Sequence, residues 1–383
     1  MPARLQENPH KSVNFGLFFF ASIDTESNNR YQLMIEAAKY ADVCGFRFVS
    51  TPERHFHRFG GLFPNPAITS AALAAVTNQI EIRACSLVSP LHHILRIVED
   101  WSVVDNLSNG RLAISFGSGW NVNDFVFAPE LYSRRHEIMY DQIEQLRKLW
   151  SEGTCTVSNP LGKTVNLSLY PRPVQKELPI WITSSGNPET FQAAGRVGAN
   201  LLTHMENQDL ETLRDKIRLY REARAAREDD AGAGKVTLMQ HTFVAQSSEE
   251  ASAYGESHLT KYLSSAMELE SSAVRAGGKM SSGRNVSDAM MSDPNVRQDI
   301  VNHASHKYRK SLSLIGSLEE CRQRVHQLRS IGVDEIACLI DFIDDSPAIL
   351  NSLRHLNKLK DEFSAVGLEA YKNKAISSFL ADH

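Results

Sequence analysis

A single TIM-type (β/α)8 barrel is the fold class this sequence predicts. Three observations carry the prediction: eight short apolar runs of strand type, longer stretches of helical periodicity between them, and no Pro-, Gly- or Ser-rich linker that would split the series. With 383 residues, 42% of them hydrophobic, the chain can bury one large core. A doubly wound open sheet is the competing architecture.

The expected strands, in order, are "VNFGLFFF" (13–20), "FRFVS" (46–50), "IEIRACSL" (80–87), "RLAISFG" (111–117), "LPIWITS" (178–184), "ANLLT" (199–203), "VTLMQHTFVA" (236–245) and "EIACLID" (335–341). Helical signals lie between them. In "NRYQLMIEAAKYADVCG", Leu33, Ala37, Tyr40 and Ala41 share a face and Gly45 is placed to end the helix. Asn106, Asn109 and Gly110 punctuate "ILRIVEDWSVVDNLSNG" ahead of strand four.

Two stretches interrupt the alternation. After strand four, "TCTVSNPLGKTVNLSLYPRPVQ" alternates apolar and polar residues about an "NPLG" turn, a hairpin added outside the barrel. After strand seven comes a long insertion that includes "SSAVRAGGKMSSGRNVSDAMMSDPN"; it reads either as a lid over the active face or as a disordered surface excursion. The expected organisation is an N-terminal extension (1–12), one barrel domain (13–362) and a C-terminal tail (363–383).

Forty-one Lys plus Arg against forty-five Asp plus Glu, with no long run of either sign, exclude nucleic acid and acidic membranes as expected partners. Five scattered cysteines without CxxC spacing read as reduced cytosolic thiols. The apolar run near the N-terminus is too short for a membrane span and lacks a clean cleavage site, so a soluble, cytoplasmic protein is expected, with no metal site.

Barrel active sites form at the carboxyl ends of the strands. After strand two, "TPERHFHRFGGLFPNP" sets Glu53, Arg54, His55 and His57 at the mouth; His55 and His57 can exchange protons near neutral pH, and Arg54 can pair with an anion. A Glu53–Arg54 ion pair with solvent-facing histidines is the plainer alternative. After strand four, Gly117, Ser118 and Gly119 admit a close ligand beside the flat wall of Trp120. After strand five, Ser184, Ser185, Gly186 and Asn187 precede a helix starting near Pro188, a hydroxyl-rich helix start suited to phosphate as well as to simple capping. A flat, phosphorylated cofactor would satisfy both regions.

These segments, together with "EIRACSLVSPLHHILRIVEDWSVVDNLSNGRLAISFGSGWNVNDF", "PIWITSSGNPETFQAAGRVGANLLTHM" and "LIGSLEECRQRVHQLRSIGVDEIACLIDF", resemble the bacterial luciferase-like flavin monooxygenases, in particular the branch associated with nonribosomal peptide and polyketide biosynthesis. The resemblance spans nearly the whole chain. It implies a barrel that binds reduced flavin mononucleotide (FMN) from a separate flavin reductase and reacts with molecular oxygen through a flavin hydroperoxide. It places the phosphate on Ser185, Gly186 and Thr190, beside Ser184, with Ser118 and Gly119 assisting. The ring lies near Cys85 and Ser86, where the family often carries a non-proline cis peptide. His55 would orient or protonate the oxygen species or its product, Arg54 would bind an anionic group, and Phe19, Phe20 and Trp120 would wall the ring or the substrate, a small molecule or carrier-tethered intermediate. A homodimer through "NPAITSAALAAVTN" and "HHILRIVEDWSVVDNLSNG" is implied as well.

The chain also departs from the family. Arg54 replaces the first of two adjacent histidines of bacterial luciferase, and Gly117 stands where that enzyme has its reactive cysteine, so light emission from an aldehyde is not expected. "HHI" (92–94) and "GWNVND" (119–124) differ from the "HHP" and "GWHPND" common in the biosynthetic branch. Two other functions are compatible with the resemblance: deazaflavin-dependent hydride transfer, and a non-catalytic flavin-binding partner subunit.

Overall fold

The computed structural model describes residues 12–21, 31–184, 186–205, 208–229, 232–281, 293–308 and 313–363. Its strands are β1 (Asn14–Phe18), β2 (Phe48–Thr51), β3 (Glu81–Val88), β4 (Leu112–Gly117), β5 (Thr154–Ser158), β6 (Thr164–Ser168), β7 (Ile180–Ser184), β8 (Asn200–His204), β9 (Val236–Ala245), β10 (Leu314–Ser317) and β11 (Glu335–Leu339). The helices are α1 (Gln32–Val43), α2 (Pro66–Val76), α3 (Ile94–Ser108), α4 (Arg135–Glu152), α5 (Pro188–Arg196), α6 (Leu210–Ala225), α7 (Ser248–Arg275), α8 (Pro294–Lys307), α9 (Leu318–Ser330) and α10 (Ser346–Phe363).

Eight parallel strands close on themselves in the order β1, β2, β3, β4, β7, β8, β9, β11, with β11 returning to β1. The barrel is therefore the predicted one, and each predicted strand coincides with an observed strand. The open sheet is excluded by the β8–β9 and β11–β1 pairings that complete the ring. Closure leaves the barrel without a free edge. Val13 N–H donates to the Phe363 carbonyl at 2.9 Å, so the two ends of the described domain meet beneath the first strand.

β5 and β6 form the expected hairpin, a separate antiparallel sheet with its turn at Asn159–Gly162. The insertion after strand seven is largely helical: α7 and α8 pack on one another, and Leu259, Tyr262 and Leu269 of α7 are buried. Residues 282–292 lie outside the described set. The structure adds one strand that the pattern did not reveal. β10, "LIGS", pairs with the last four residues of β9, whose first half serves β8 and β11.

α1 forms as expected, but its buried stripe is rotated, centred on Met34, Ala37, Ala38 and Ala41, with Leu33 and Tyr40 only half-buried. Asp42 is buried on the same face because its carboxylate accepts from the N–H groups of Asn78, Gln79 and Ile80, which lead into β3.

Inside the barrel, at the amino-terminal end of the strands, Arg83 is fully enclosed. Its guanidinium lies 3.8 Å from the Phe48 ring centre and 4.0 Å from that of Trp181, and it is paired with Glu335 at 2.6 Å and with Glu81. Thr237 donates to Glu335 at 2.8 Å and accepts from the Trp181 indole at 3.0 Å. This network fills the bottom of the barrel and leaves chemistry to the other end. Cys44, Cys85, Cys155, Cys321 and Cys338 are all free thiols. Among the described residues no helix is long and apolar enough to cross a membrane.

Candidate active site

The loop after β2 and the turns after β3 and β4 assemble one buried polar cluster. Glu53 is its hub. Its Oε1 lies 2.9 Å from His55 Nε2 and 2.6 Å from His92 Nε2, while Oε2 accepts from the Val88 N–H at 2.7 Å. Burial alone would raise the Glu53 carboxyl; the bonds from His55 and His92, the His92 charge and the Val88 N–H outweigh it and hold the group below the ordinary carboxylate range. His92 responds in the opposite sense: burial would lower it, and the bond and charge of Glu53 raise it.

Arg54 does not pair with Glu53. It reaches Asp124 at 2.8 Å, with both side chains buried, and its guanidinium carbon lies 5.4 Å from the Trp120 ring centre. The plainer surface-pair reading fails because Glu53 is already saturated by two histidines and a backbone donor. Among the described residues Arg54 Nε is buried without a hydrogen-bond partner. Burial pushes the Asp124 carboxyl up, against the lowering charges of Arg54 and His55. His57 stands apart from this cluster: its Nδ1 accepts from the Phe59 N–H at 3.1 Å and shapes the loop.

The Cys85–Ser86 peptide is cis, at the position where the resemblance placed it. Beside it Thr183 Oγ1 lies 2.5 Å from Ser86 Oγ and 2.7 Å from Ser115 Oγ, a short chain of hydroxyls spanning β3, β4 and β7. Burial pushes the Cys85 thiol up to about 12, so it is neutral at physiological pH. Gly119 is fixed through its carbonyl, which accepts from Arg135 Nε at 2.8 Å, and Ser118 precedes it in the same half-buried turn.

After β7 the chain turns into α5, whose cap is Asn187, accepting from the Glu189 N–H at 3.1 Å. Ser184 is buried with its Oγ 3.4 Å from the Gly186 N, and Thr190 is half-buried in the first turn of α5. Ser185 lies outside the described residues. Gly186 has φ +119°, a backbone that side chains rarely adopt. A Cβ built there would lie 3.2 Å from Lys216 Nζ and 3.7 Å from Gln208 Oε1. Lys216, from α6, donates to Gln208 at 3.0 Å and so brings a cation to this turn that the sequence reading missed.

Of the three aromatic residues expected to wall the site, Trp120 and Phe20 reach the mouth, Phe20 contacting Phe59 at 4.9 Å. Phe19 does not. Its N–H continues the β1–β2 ladder to Ser50, so strand alternation turns its ring away from the side shared by Phe18 and Phe20, which stack at 6.4 Å. The opposite wall carries residues that were not anticipated. His241 of β9 is buried among Tyr262, Tyr308 and Phe342, at 5.1 to 5.5 Å between ring centres, and among the described residues its Nε2 has no hydrogen-bond partner. Burial, reinforced by the charge of His204, pushes His241 down to about 3, which keeps it neutral. Asp341, just past β11, accepts from the N–H groups of Phe20 and Ala21, and burial pushes its carboxyl up to about 7.

Taken together, the mouth offers a buried imidazole–carboxylate arrangement, an arginine held by an aspartate, a hydroxyl ledge and a separate cationic turn for an anion. The chemistry of these groups suits a flavin nucleotide: the Gly186 turn with Lys216 would hold a phosphate, and the hydroxyls of Ser86, Ser115 and Thr183 would meet the polar edge of a ring. Among the described residues no cluster of His, Cys, Asp and Glu is arranged to hold a metal ion.

The profile of a family described as luciferase-like monooxygenases matches residues 13–335. The oxygenase component of a flavin-dependent trigonelline monooxygenase from Acinetobacter baylyi is 23% identical over 341 residues, covering 86% of this chain and 89% of that one. Among solved structures, the oxygenating constituent of 3,6-diketocamphane monooxygenase from Pseudomonas putida, in complex with FMN, superposes with a TM-score of 0.66 at 16% identity over 91% of this chain and 97% of that one. An F420-dependent secondary alcohol dehydrogenase has a TM-score of 0.65 at 17% identity, over 91% and 99%.

Proposed function

Because the chain belongs to the luciferase-like monooxygenase family, we propose that it is a reduced-FMN-dependent oxygenase that transfers one oxygen atom from molecular oxygen to an organic substrate. The observation that supports the reading is the turn at Gly186, where a positive φ, the start of α5 and Lys216 Nζ come together, groups whose chemistry suits a phosphate. Ser184 and Thr190 would assist there, and Ser185 is assigned the same task on the resemblance alone. Ser118 and Gly119 would approach the nucleotide from β4, and the cis Cys85–Ser86 peptide would face its ring.

When bound, the reduced flavin supplies the electrons that activate oxygen. The chain's own residues do the rest. Arg54, fixed by Asp124 and flanked by Trp120, holds positive charge at the mouth. His55, fixed by Glu53, is the group placed to exchange a proton with the substrate. Phe20, Phe59 and Tyr262 form an aromatic wall that excludes water. The reading extends to a separate flavin reductase, to a small-molecule or carrier-tethered substrate of secondary metabolism, and to a homodimer through α2 and α3, where Ile68, Val103 and Leu107 are exposed.

The name of the Acinetobacter relative, an oxygenase component, supports the two-component arrangement, and the FMN complex supports the nucleotide. The F420-dependent neighbour favours the deazaflavin reading instead. Anaerobic titration with reduced FMN and with reduced deazaflavin, followed by a pulse of isotopically labelled oxygen, separates the two. Tight FMN binding and label in the product are expected; turnover supported by deazaflavin alone, without oxygen uptake, would replace the oxygenase reading. Binding of neither would remove both.

A further inference from the structure

The hub at Glu53 fixes more than the position of its neighbours. One carboxylate oxygen serves two imidazoles, Oε1 lying 2.9 Å from His55 Nε2 and 2.6 Å from His92 Nε2. The other accepts from a backbone N–H. These bonds outweigh burial and keep Glu53 below the ordinary carboxylate range, so it is ionised at neutral pH. An ionised carboxylate has no hydrogen to give. Each Nε2 must therefore carry one.

For a neutral histidine, a hydrogen on Nε2 leaves Nδ1 with a lone pair. Among the described residues His55 makes no other hydrogen bond, and its remaining ring neighbours are Phe127 at 4.9 Å and Phe56 at 5.7 Å, neither able to donate a proton. Both phenylalanine rings are exposed, so the ring packing around His55 extends to the protein surface.

We propose that Glu53, with His92 as its second donor, is a positioning residue that locks His55 in the Nε2–H tautomer, so that the barrel mouth is offered the proton-accepting Nδ1. With its hydrogen on Nε2, His55 then acts on the substrate as a base and not as an acid. In that step an O–H or N–H bond of the substrate breaks, its electron pair stays on the heteroatom, and the proton bonds to the Nδ1 lone pair. The resulting imidazolium keeps its Nε2–H on Glu53. The substrate class is therefore one with an acidic O–H or N–H. The role rests on the oxygenase reading, whereas the tautomer belongs to the protein alone.

The test is a long-range proton–nitrogen correlation spectrum of the full chain labelled with 15N-histidine, without flavin, with His55 assigned by its loss in His55→Gln. The expected result is the Nε2–H pattern in at least about tenfold excess, the factor a single charge-assisted hydrogen bond supplies. Glu53→Gln keeps the shape but offers an amide that can also donate, and brings the two tautomers to comparable populations. A dominant Nδ1–H pattern in the unaltered protein, or an unchanged ratio in folded Glu53→Gln, overturns the proposal. If that variant does not fold, the spectrum of the unaltered protein decides alone. FMN binding measured on the same samples reports separately: the expected tautomer without flavin binding sinks the oxygenase reading and leaves the lock standing.

Discussion

Arg54 and Asp124, on loops that follow different barrel strands, meet in a buried ion pair with 2.8 Å between Nη1 and Oδ2. Removing one partner of such a pair strands the other. Arg54→Met is expected to destabilise the fold by about 3–5 kcal/mol, and the double variant with Asp124→Leu by clearly less, because the second change removes the orphaned carboxyl. Burial already pushes Asp124 up, and Arg54 opposes that shift. Without Arg54 the carboxyl takes up a proton more readily, so the penalty grows with pH. Chemical denaturation of the unaltered protein, Arg54→Met, Asp124→Leu and the double variant at pH 5 and pH 8 measures both effects.

On the proposed reading, Lys216 would distinguish a nucleotide from its dephosphorylated form. Its Nζ lies at the Gly186 turn, tied to Gln208. Lys216→Gln is expected to weaken FMN binding by about tenfold, in line with the loss of one charged hydrogen bond, and to leave riboflavin binding unchanged. Fluorescence titration with both ligands checks it; an equal loss for the two would place the phosphate elsewhere.

Two buried carboxyls give opposite pH dependences. Burial alone would raise Glu335, but Arg83, Lys235 and Thr237 hold it at about 2 against an ordinary 4.5. Its stabilising contribution is present above the unfolded value and is lost as pH falls from about 4.5 towards 2. Asp341 is pushed from 3.8 up to about 7. Its contribution is complete below the unfolded value and disappears as pH rises towards 7. Thermal melts should show the difference between the unaltered protein and Glu335→Gln closing below pH 4, and Asp341→Asn gaining relative stability between pH 5 and 8.

Gly16 of β1 faces the barrel interior against Phe48. A Cβ there would lie 2.4 Å from the ring, which is itself pinned against Arg83. Gly16→Ala is expected to cost about 1–3 kcal/mol through overpacking. The pair Gly16→Ala with Phe48→Leu should recover part of it, as a shifted denaturation midpoint would show.

The barrel was legible in the sequence because each strand is a short apolar run bounded by turn residues, and the hairpin because β5 and β6 alternate about a tight turn. β10 was not, since four residues including a glycine carry no period and only pairing with β9 makes them a strand. The candidate site was legible as strand ends and the loops that follow them, which put His55, Arg54, Gly119 and Gly186 after strands and Ser86 near the end of β3. Their partners were not. Asp124 and His92 reach Arg54 and Glu53 from distant loops, and Lys216 arrives from a helix whose own pattern is that of a solvated surface. His241 looks in the sequence like any residue of a buried strand. Three consecutive phenylalanines contain no signal of which ring faces inward, and strand alternation sets Phe19 on the other side from Phe18 and Phe20.

β9 both releases the long segment 246–313 at Ala245 and receives it back, since Leu314–Ser317 runs alongside Thr242–Ala245 of the same strand. Departure and return points are thus neighbours. The pairings that close the ring, β8 with β9, β9 with β11 and β11 with β1, do not pass through that segment, so its length is not set by the shear or closure of the barrel beneath it.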